Sequence, residues 1–276
     1  MAGRWIVFWL ALAPQVARAQ QSWHSADHVA AIPQSRLDTI TQRGRAIAAY
    51  DKAAWRASDA VALLRPDTAG MQAYIARCNP DGRWEVVFGR PSAKADTFYI
   101  ANRAVQSLMS DTTFLVTPLL HPIADAEYYA RAFRALNAAS RELGGVASRP
   151  YNSMVIPADA NDEWFVYFVP APTVTGVWPL GADVRLRVSA DGRRVVERRR
   201  LHNDVIEFTG ASKDGKQLAA GMHSAVLADQ PEDTDVFHVL TRTPRVPEYI
   251  VTKSYYFAIA PDGRISAFDR ESKARH

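Results

Sequence analysis

The chain has 276 residues, of which 48% are hydrophobic and 22% are charged. This apolar content is enough for a globular core and excludes wholesale disorder. Lys and Arg number 33 against 29 Asp and Glu, and the formal net charge of +4 gives no electrostatic basis for binding nucleic acid. The length fits one or two domains. The only cysteine, Cys78, excludes an intramolecular disulfide.

The first 19 residues have the composition of a secretory signal peptide. Arg4 precedes an apolar run at 5–13, and Ala17 and Ala19 are the small residues expected before cleavage at Gln20. As a helix this run spans about 14 Å, too short for the hydrocarbon core of about 30 Å that a membrane anchor must cross. We expect removal of residues 1–19, a mobile leader at 20–34, and a periplasmic or secreted protein without a transmembrane anchor.

Hydrophobic periodicity then predicts an α+β fold. Apolar residues at helical spacing indicate an amphipathic helix over 35–64, capped by Ser35 and followed by three short strands. A second helix is expected over 125–143. The remaining pattern is strand-like, at 151–156, 163–169, 183–188, 195–201, 205–208, 222–227, 235–241, 255–259 and 265–268. We predict two helices packed on one face of antiparallel sheet, with a β-rich C-terminal half. Units 35–104 and 125–270 are either separate or one continuous domain.

Three Asp-Gly turns, at 79–83, 189–193 and 260–264, separate pairs of predicted strands. A three-residue hairpin loop needs a positive φ that glycine adopts without strain. In the first hairpin this loop sets Arg77 opposite Glu85 and Cys78 on the buried core face. In the second it sets Arg185 opposite Glu197 and Asp183 opposite Arg199, so that opposite charges pair. In the third, Ile259 meets Ile265.

The order of elements carries one resemblance. A helix followed by three strands at 35–103, and a helix followed by several strands at 125–201, resemble small exported modules such as PepSY and cystatin-like domains. The resemblance is to element order and implies a helix packed across an antiparallel sheet; it assigns no functional residue. The common esterase, zincin and nucleotide-binding motifs do not occur in the sequence.

His223 and His238 are the candidate polar site. They flank an acidic loop at 229–235, and a hairpin centred on that loop makes them direct cross-strand neighbours on the core face. Such a pair could share a proton, a water or a metal ion, or could be two neutral buried histidines. A metal needs a third ligand, for which His202 and Glu207 are available.

These observations favour a non-enzymatic binding or envelope-associated protein whose partner is a protein or an envelope component. No metal or cofactor is assigned. The alternative is an envelope hydrolase or metal-binding protein that uses His223 and His238.

Overall fold

A computed structural model describes residues 32–64, 70–144, 149–158, 162–210 and 218–269. The predicted signal peptide at 1–19 and most of the predicted leader lie outside the described residues. The architecture is mixed α+β and β-rich, with three helices and four sheets in the part of the chain that is described. No helix there is long and apolar enough to cross a membrane.

Helix α1 (Gln34–Leu63) has 30 residues, and one side of it is buried along its length. It begins at Gln34, with Pro33 in the N-cap position where Ser35 was expected, and no side chain caps it. Its buried stripe includes Leu37, Ile47 and Val61. The helix contacts all four strands of the first sheet as well as the C-terminal part of the chain.

The first sheet has four antiparallel strands in sequence order, where three were predicted. They are β1 (Ala73–Cys78), β2 (Trp84–Pro91), β3 (Phe98–Gln106) and β4 (Phe114–Asp125). Arg77 lies opposite Glu85, the pairing expected from a three-residue loop, and Gly82 has a φ of 81°. The prediction that Cys78 is buried is wrong. As the last residue of β1, it lies beside the exposed turn, and its side chain is exposed.

The second sheet has the order β5-β6-β8-β9 and packs against helix α2 (Tyr128–Leu143). Its strands are β5 (Tyr151–Pro157), β6 (Trp164–Pro170), β8 (Val184–Val188) and β9 (Val195–Arg200). Every residue of β6 is buried, as expected of an interior strand covered on both faces.

The register predicted for the second Asp-Gly hairpin is wrong. The turn closes between Ser189 and Arg194, and a bulge beside Val188 shifts the pairing. Arg185 therefore lies opposite Arg199 rather than Glu197. This like-charged pair is tolerated because each guanidinium has its own carboxylate elsewhere in the chain, as described below.

The C-terminal part contains one short sheet, one four-stranded sheet and a helix that the sequence pattern did not predict. The short sheet pairs β7 (Trp178–Gly181) with β10 (Val205–Phe208). The larger sheet contains β11 (Gly221–Ser224), β12 (Glu248–Val251), β13 (Tyr255–Ile259) and β14 (Ile265–Asp269). Strands β11 and β12 are parallel, and all other pairs in this sheet are antiparallel.

Helix α3 (Asp233–Thr241) replaces the strand predicted at 235–241. The side chains of Glu232 and Asp235 reciprocally cap its first turn, which stabilises the helix start. All of its residues from Asp233 to Val239 are buried, including the polar Asp235 and His238, so its polar face is directed into the protein and not at solvent.

Helix α3 packs very closely on α1. A Cβ atom at Gly44 of α1 would overlap the side chain of Val236 and the carbonyl oxygen of Asp233. Val236 also belongs to a cluster of buried side chains that includes Leu37 and Ile40 of α1. The absence of a side chain at Gly44 therefore fixes how deeply α3 sits in the fold.

Candidate metal centre

The two histidines predicted as a cross-strand pair are not on neighbouring strands. His223 lies in β11, where its partner in the parallel pairing is Ile250, and His238 lies in α3. The predicted hairpin is wrong because a helix, not a second strand, follows the acidic loop. His223 instead approaches a different histidine.

His202, His223 and Asp235 converge in the protein interior. His202 follows β9, His223 belongs to β11, and Asp235 lies in the first turn of α3. The Nε2 atoms of His202 and His223 lie 3.1 and 3.2 Å from the same atom, Oδ1 of Asp235. The two imidazole rings meet edge to face with centroids 5.7 Å apart. Three separate segments of the chain thus place one donor atom each in the same small region of the interior.

These three donor atoms are buried and have no hydrogen-bond partner. The contacts to Asp235 Oδ1 are short enough for ion pairs but lack hydrogen-bond geometry. Ligand atoms about 2.0–2.1 Å from a tetrahedral zinc ion lie about 3.3 Å from one another. The two separations from Asp235 match that spacing, and all three atoms lie within 4.8 Å of one another. Two imidazoles and a carboxylate are also a donor set that Zn²⁺ accepts.

Each histidine is held in place through its other ring nitrogen. Nδ1 of His202 lies 2.7 Å from Oδ1 of Asp183, and Nδ1 of His223 lies 2.9 Å from Oε1 of Glu248. Glu248 in turn accepts a hydrogen bond of 2.6 Å from Arg242. A carboxylate on the far side of a ligating imidazole fixes the ring orientation and directs Nε2 towards the ion. Both rings therefore have the support that metal-binding histidines usually have.

The charges in the cluster are strongly coupled. Burial alone would lower the pKa of His202, but attraction to Asp235 and the contact with Asp183 raise it to about 11. Burial would likewise lower the pKa of His223, but the contacts with Asp235 and Glu248 outweigh burial and raise this pKa to about 9. Burial would raise the pKa of Asp235, yet the two histidines hold it well below its usual range. In the absence of an ion, the cluster keeps two protons on its histidines.

A divalent cation would replace those two protons without changing the net charge. The three carboxylates Asp183, Asp235 and Glu248 carry a formal charge of −3, and Arg242 carries +1. Two imidazolium groups bring the total to zero. Two neutral imidazoles with one divalent ion give the same total, so the surrounding residues suit a charge of +2.

His238 lies on the edge of this cluster. Its Nε2 atom is 3.9 Å from Oδ2 of Asp183, too far for a hydrogen bond, and both atoms lack a hydrogen-bond partner. His238 also lines a cavity of about 520 Å³, whose lining does not include His202, His223 or Asp235. Glu207, the other ligand candidate from the sequence, is largely exposed in β10 and faces Arg149 at 3.9 Å.

The acidic residues beside Asp235 serve the helix start and the second sheet. Asp233 accepts hydrogen bonds from Arg185 at 2.6 Å and from the hydroxyl of Tyr167 at 2.7 Å. Glu232 pairs with Arg199. These are the carboxylates that separate the two opposed arginines of the second hairpin. They leave Asp235 as the acidic residue of α3 that is directed at the histidines.

Sequence reasoning named His223 as a candidate and His202 as an available ligand, but it did not place them together. Asp235 was recognised only as one member of an acidic loop. Nothing local in the sequence marks Asp183 or Glu248, because their roles depend on contacts 19 and 25 residues away along the chain.

No family model, curated protein or solved structure matches this chain. The chemistry of the buried cluster is therefore the basis on which a function can be assigned.

Proposed function

We propose that this chain is an exported protein that binds a divalent transition-metal ion of the Zn²⁺ class. The ligands are Nε2 of His202, Nε2 of His223 and one carboxylate oxygen of Asp235. The observation that carries the proposal is the convergence of three buried donor atoms without hydrogen-bond partners. Export rests on the signal-peptide pattern of residues 1–19.

A purely structural ion-pair cluster explains this arrangement less well. Buried ionised groups are costly unless hydrogen bonds satisfy them, and each unsatisfied buried polar atom costs about 1–3 kcal/mol. Here the rings use Nδ1 for hydrogen bonds and direct Nε2 at a shared oxygen without hydrogen-bond geometry. A metal ion between the three atoms satisfies all of them at once.

The bound ion would link three segments that make few other contacts with one another. It joins the residue after β9, the short strand β11 and the first turn of α3. Metal binding in such a site contributes directly to folding free energy. A role in stabilising this part of the protein agrees with a non-enzymatic binding or envelope-associated function.

A metal-dependent hydrolase is the second candidate. Three protein ligands leave one position on a tetrahedral ion for a water molecule, which is the ligand number of catalytic zinc sites. Against this, the side chains of His202, His223 and Asp235 are at most 10% exposed. A substrate would need an opening of the structure to reach the ion.

The test is metal content and affinity in the mature protein purified without a histidine tag. We expect about one zinc ion per chain after loading and dialysis, as measured by elemental analysis. His202→Gln and Asp235→Asn should each weaken zinc binding at least about tenfold, since each removes one ligand. His121→Gln is the matched control, because His121 is exposed in β4.

Circular dichroism of each variant separates lost ligation from lost folding. Glu248→Gln keeps all three ligands and weakens the support of His223 together with the ion pair to Arg242. Absence of zinc from the loaded and folded wild-type protein, or equal zinc affinity in the wild type and the ligand variants, would refute the metal site. Zinc-dependent hydrolysis of ester or phosphoester probes, lost in the same variants, would favour the second candidate.

A further inference from the structure

A cavity lies beside α1 and α3, and the proposed metal ligands are not part of its lining. It has a volume of about 520 Å³, within the range of small-molecule sites. Residues of α1, α3, the strands β1, β5, β6 and β7, and the segment after β6 surround it. Its walls are mostly aromatic, aliphatic and proline side chains, so a few polar groups determine what it can bind.

Asp51 is the acidic residue of this cavity. It is half-buried, and its carboxylate accepts one hydrogen bond, 3.3 Å long, from the amide of Asn152. Within the described residues no Lys or Arg pairs with it. The adjacent Lys52 points elsewhere and pairs with Asp111 at 2.7 Å. Burial raises the pKa of Asp51 to about 6, the direction expected for a carboxylate without a nearby cation.

Aromatic rings accompany this carboxylate in the lining. Trp178 and Tyr74 are half-buried, and Trp55 is 58% exposed at the rim. The guanidinium of Arg56 lies 4.4 Å from the ring centre of Trp55, which shows that this ring attracts a cation. Aromatic faces attract cations through their quadrupole, and the attraction is larger where water is excluded.

We propose that this cavity binds a small organic cation, with its ammonium group against the carboxylate of Asp51 and its hydrocarbon part between Trp55 and Trp178. An anionic ligand would be repelled by Asp51. A neutral ligand would desolvate that carboxylate further without supplying a counter-charge. A cation removes this cost and also uses the aromatic walls. The observations behind this inference do not involve the proposed metal ligands.

Calorimetric titration with choline tests the charge requirement directly. Its neutral analogue, 3,3-dimethylbutan-1-ol, has the same shape but carries no charge. We expect choline to bind the wild-type protein at least about tenfold more tightly than the analogue, a difference of about 1.4 kcal/mol. n-Butylammonium is titrated in parallel, so that a preference for primary amines is detected as well.

Asp51→Asn should abolish the preference for choline over its analogue, because the amide keeps the shape and removes the charge. Asp59→Asn is the matched control, since Asp59 is exposed on the same helix. Trp178→Ala should weaken both ligands, because it removes a wall and leaves the carboxylate. Thermal melts establish that each variant is folded before titration.

Two results would overturn the proposal. One is the failure of both cations to bind the wild-type protein up to about 10 mM, the limit of weak ligand binding. The other is equal affinity of the wild-type protein for choline and for its neutral analogue. This comparison can be interpreted without any variant. Titration of zinc-loaded and chelator-treated protein keeps the result distinct from the metal site, because charge preference is expected in both.

Discussion

Replacing Asp51 with asparagine should stabilise the protein at neutral pH. The amide has the same shape as the carboxylic acid and can retain a contact with Asn152. What it removes is the negative charge that Asp51 carries above its pKa. Because the carboxylate is half-buried and has no cation partner among the described residues, ionisation costs more in the folded than in the unfolded chain.

The magnitude follows from the difference in pKa between the two states. The pKa of Asp51 rises from 3.8 to about 6 on folding, and one pKa unit corresponds to about 1.4 kcal/mol. A raised folded-state pKa means that the protonated acid is favoured by folding. The corresponding stability is complete below pH 3.8 and is lost as the pH rises through 6. At pH 7.5 the loss amounts to about 3 kcal/mol.

Urea unfolding at pH 7.5 and at pH 4 measures this effect in wild-type and Asp51→Asn protein. We expect the variant to be more stable at pH 7.5, by up to about 3 kcal/mol, and close to wild type at pH 4. Asp59→Asn should change little at either pH, because Asp59 is exposed. Equal or lower stability of Asp51→Asn at pH 7.5 would refute the reasoning.

A stabilising result would bear on function as well. A residue that lowers stability and lines a cavity is typical of a site whose charge serves binding rather than folding. Asp51→Asn protein that is more stable and also loses its preference for choline would connect both properties to one carboxylate.

Three further predictions test other parts of the structure. Because the pKa values of His202 and His223 are raised, metal-free protein should lose up to about 3 kcal/mol of stability for each of the two histidines as the pH rises from 6.5 to 9; unfolding melts with and without zinc should show that zinc prevents this loss. Gly44→Ala should destabilise the protein by about 1–3 kcal/mol in urea unfolding, since a Cβ atom there overlaps α3, whereas Gly70→Ala, with its nearest neighbour at 3.9 Å, should be near neutral. Intact mass of exported protein should correspond to a chain that begins at Gln20, and full-length mass in that fraction would contradict the signal peptide.

Features set by neighbouring residues could be predicted from the sequence. The strand at β6 was recognisable because both of its faces are apolar, and the structure buries all of it. The turns at Gly82 and Gly263 follow from glycine's tolerance of positive φ, and their φ values are 81° and 86°. In each case, residues close together in the sequence are sufficient to predict the structure.

Features that depend on distant partners could not be predicted. The second hairpin was misregistered because the carboxylates that neutralise Arg185 and Arg199 lie 48 and 33 residues further along the chain. Charge pairing within the hairpin was therefore the wrong criterion. Helix α3 was mistaken for a strand because it has only nine residues, a length at which helical and strand patterns are hard to tell apart. That error also separated His223 from its actual neighbours.

Helix α3 connects the two proposed sites. Asp235 and His238 are one turn apart on the same face of the helix; Asp235 belongs to the metal cluster, and His238 lies at the edge of that cluster and lines the cavity. On α1, Gly44 and Asp51 are two turns apart on the same face; the first admits α3 and the second lines the cavity. An ion held by Asp235 would therefore fix the position of α3 and, through it, one wall of the cavity. Removing the ion should weaken cation binding by loosening that wall. It should leave the preference for charge intact, because that preference comes from the carboxylate on α1.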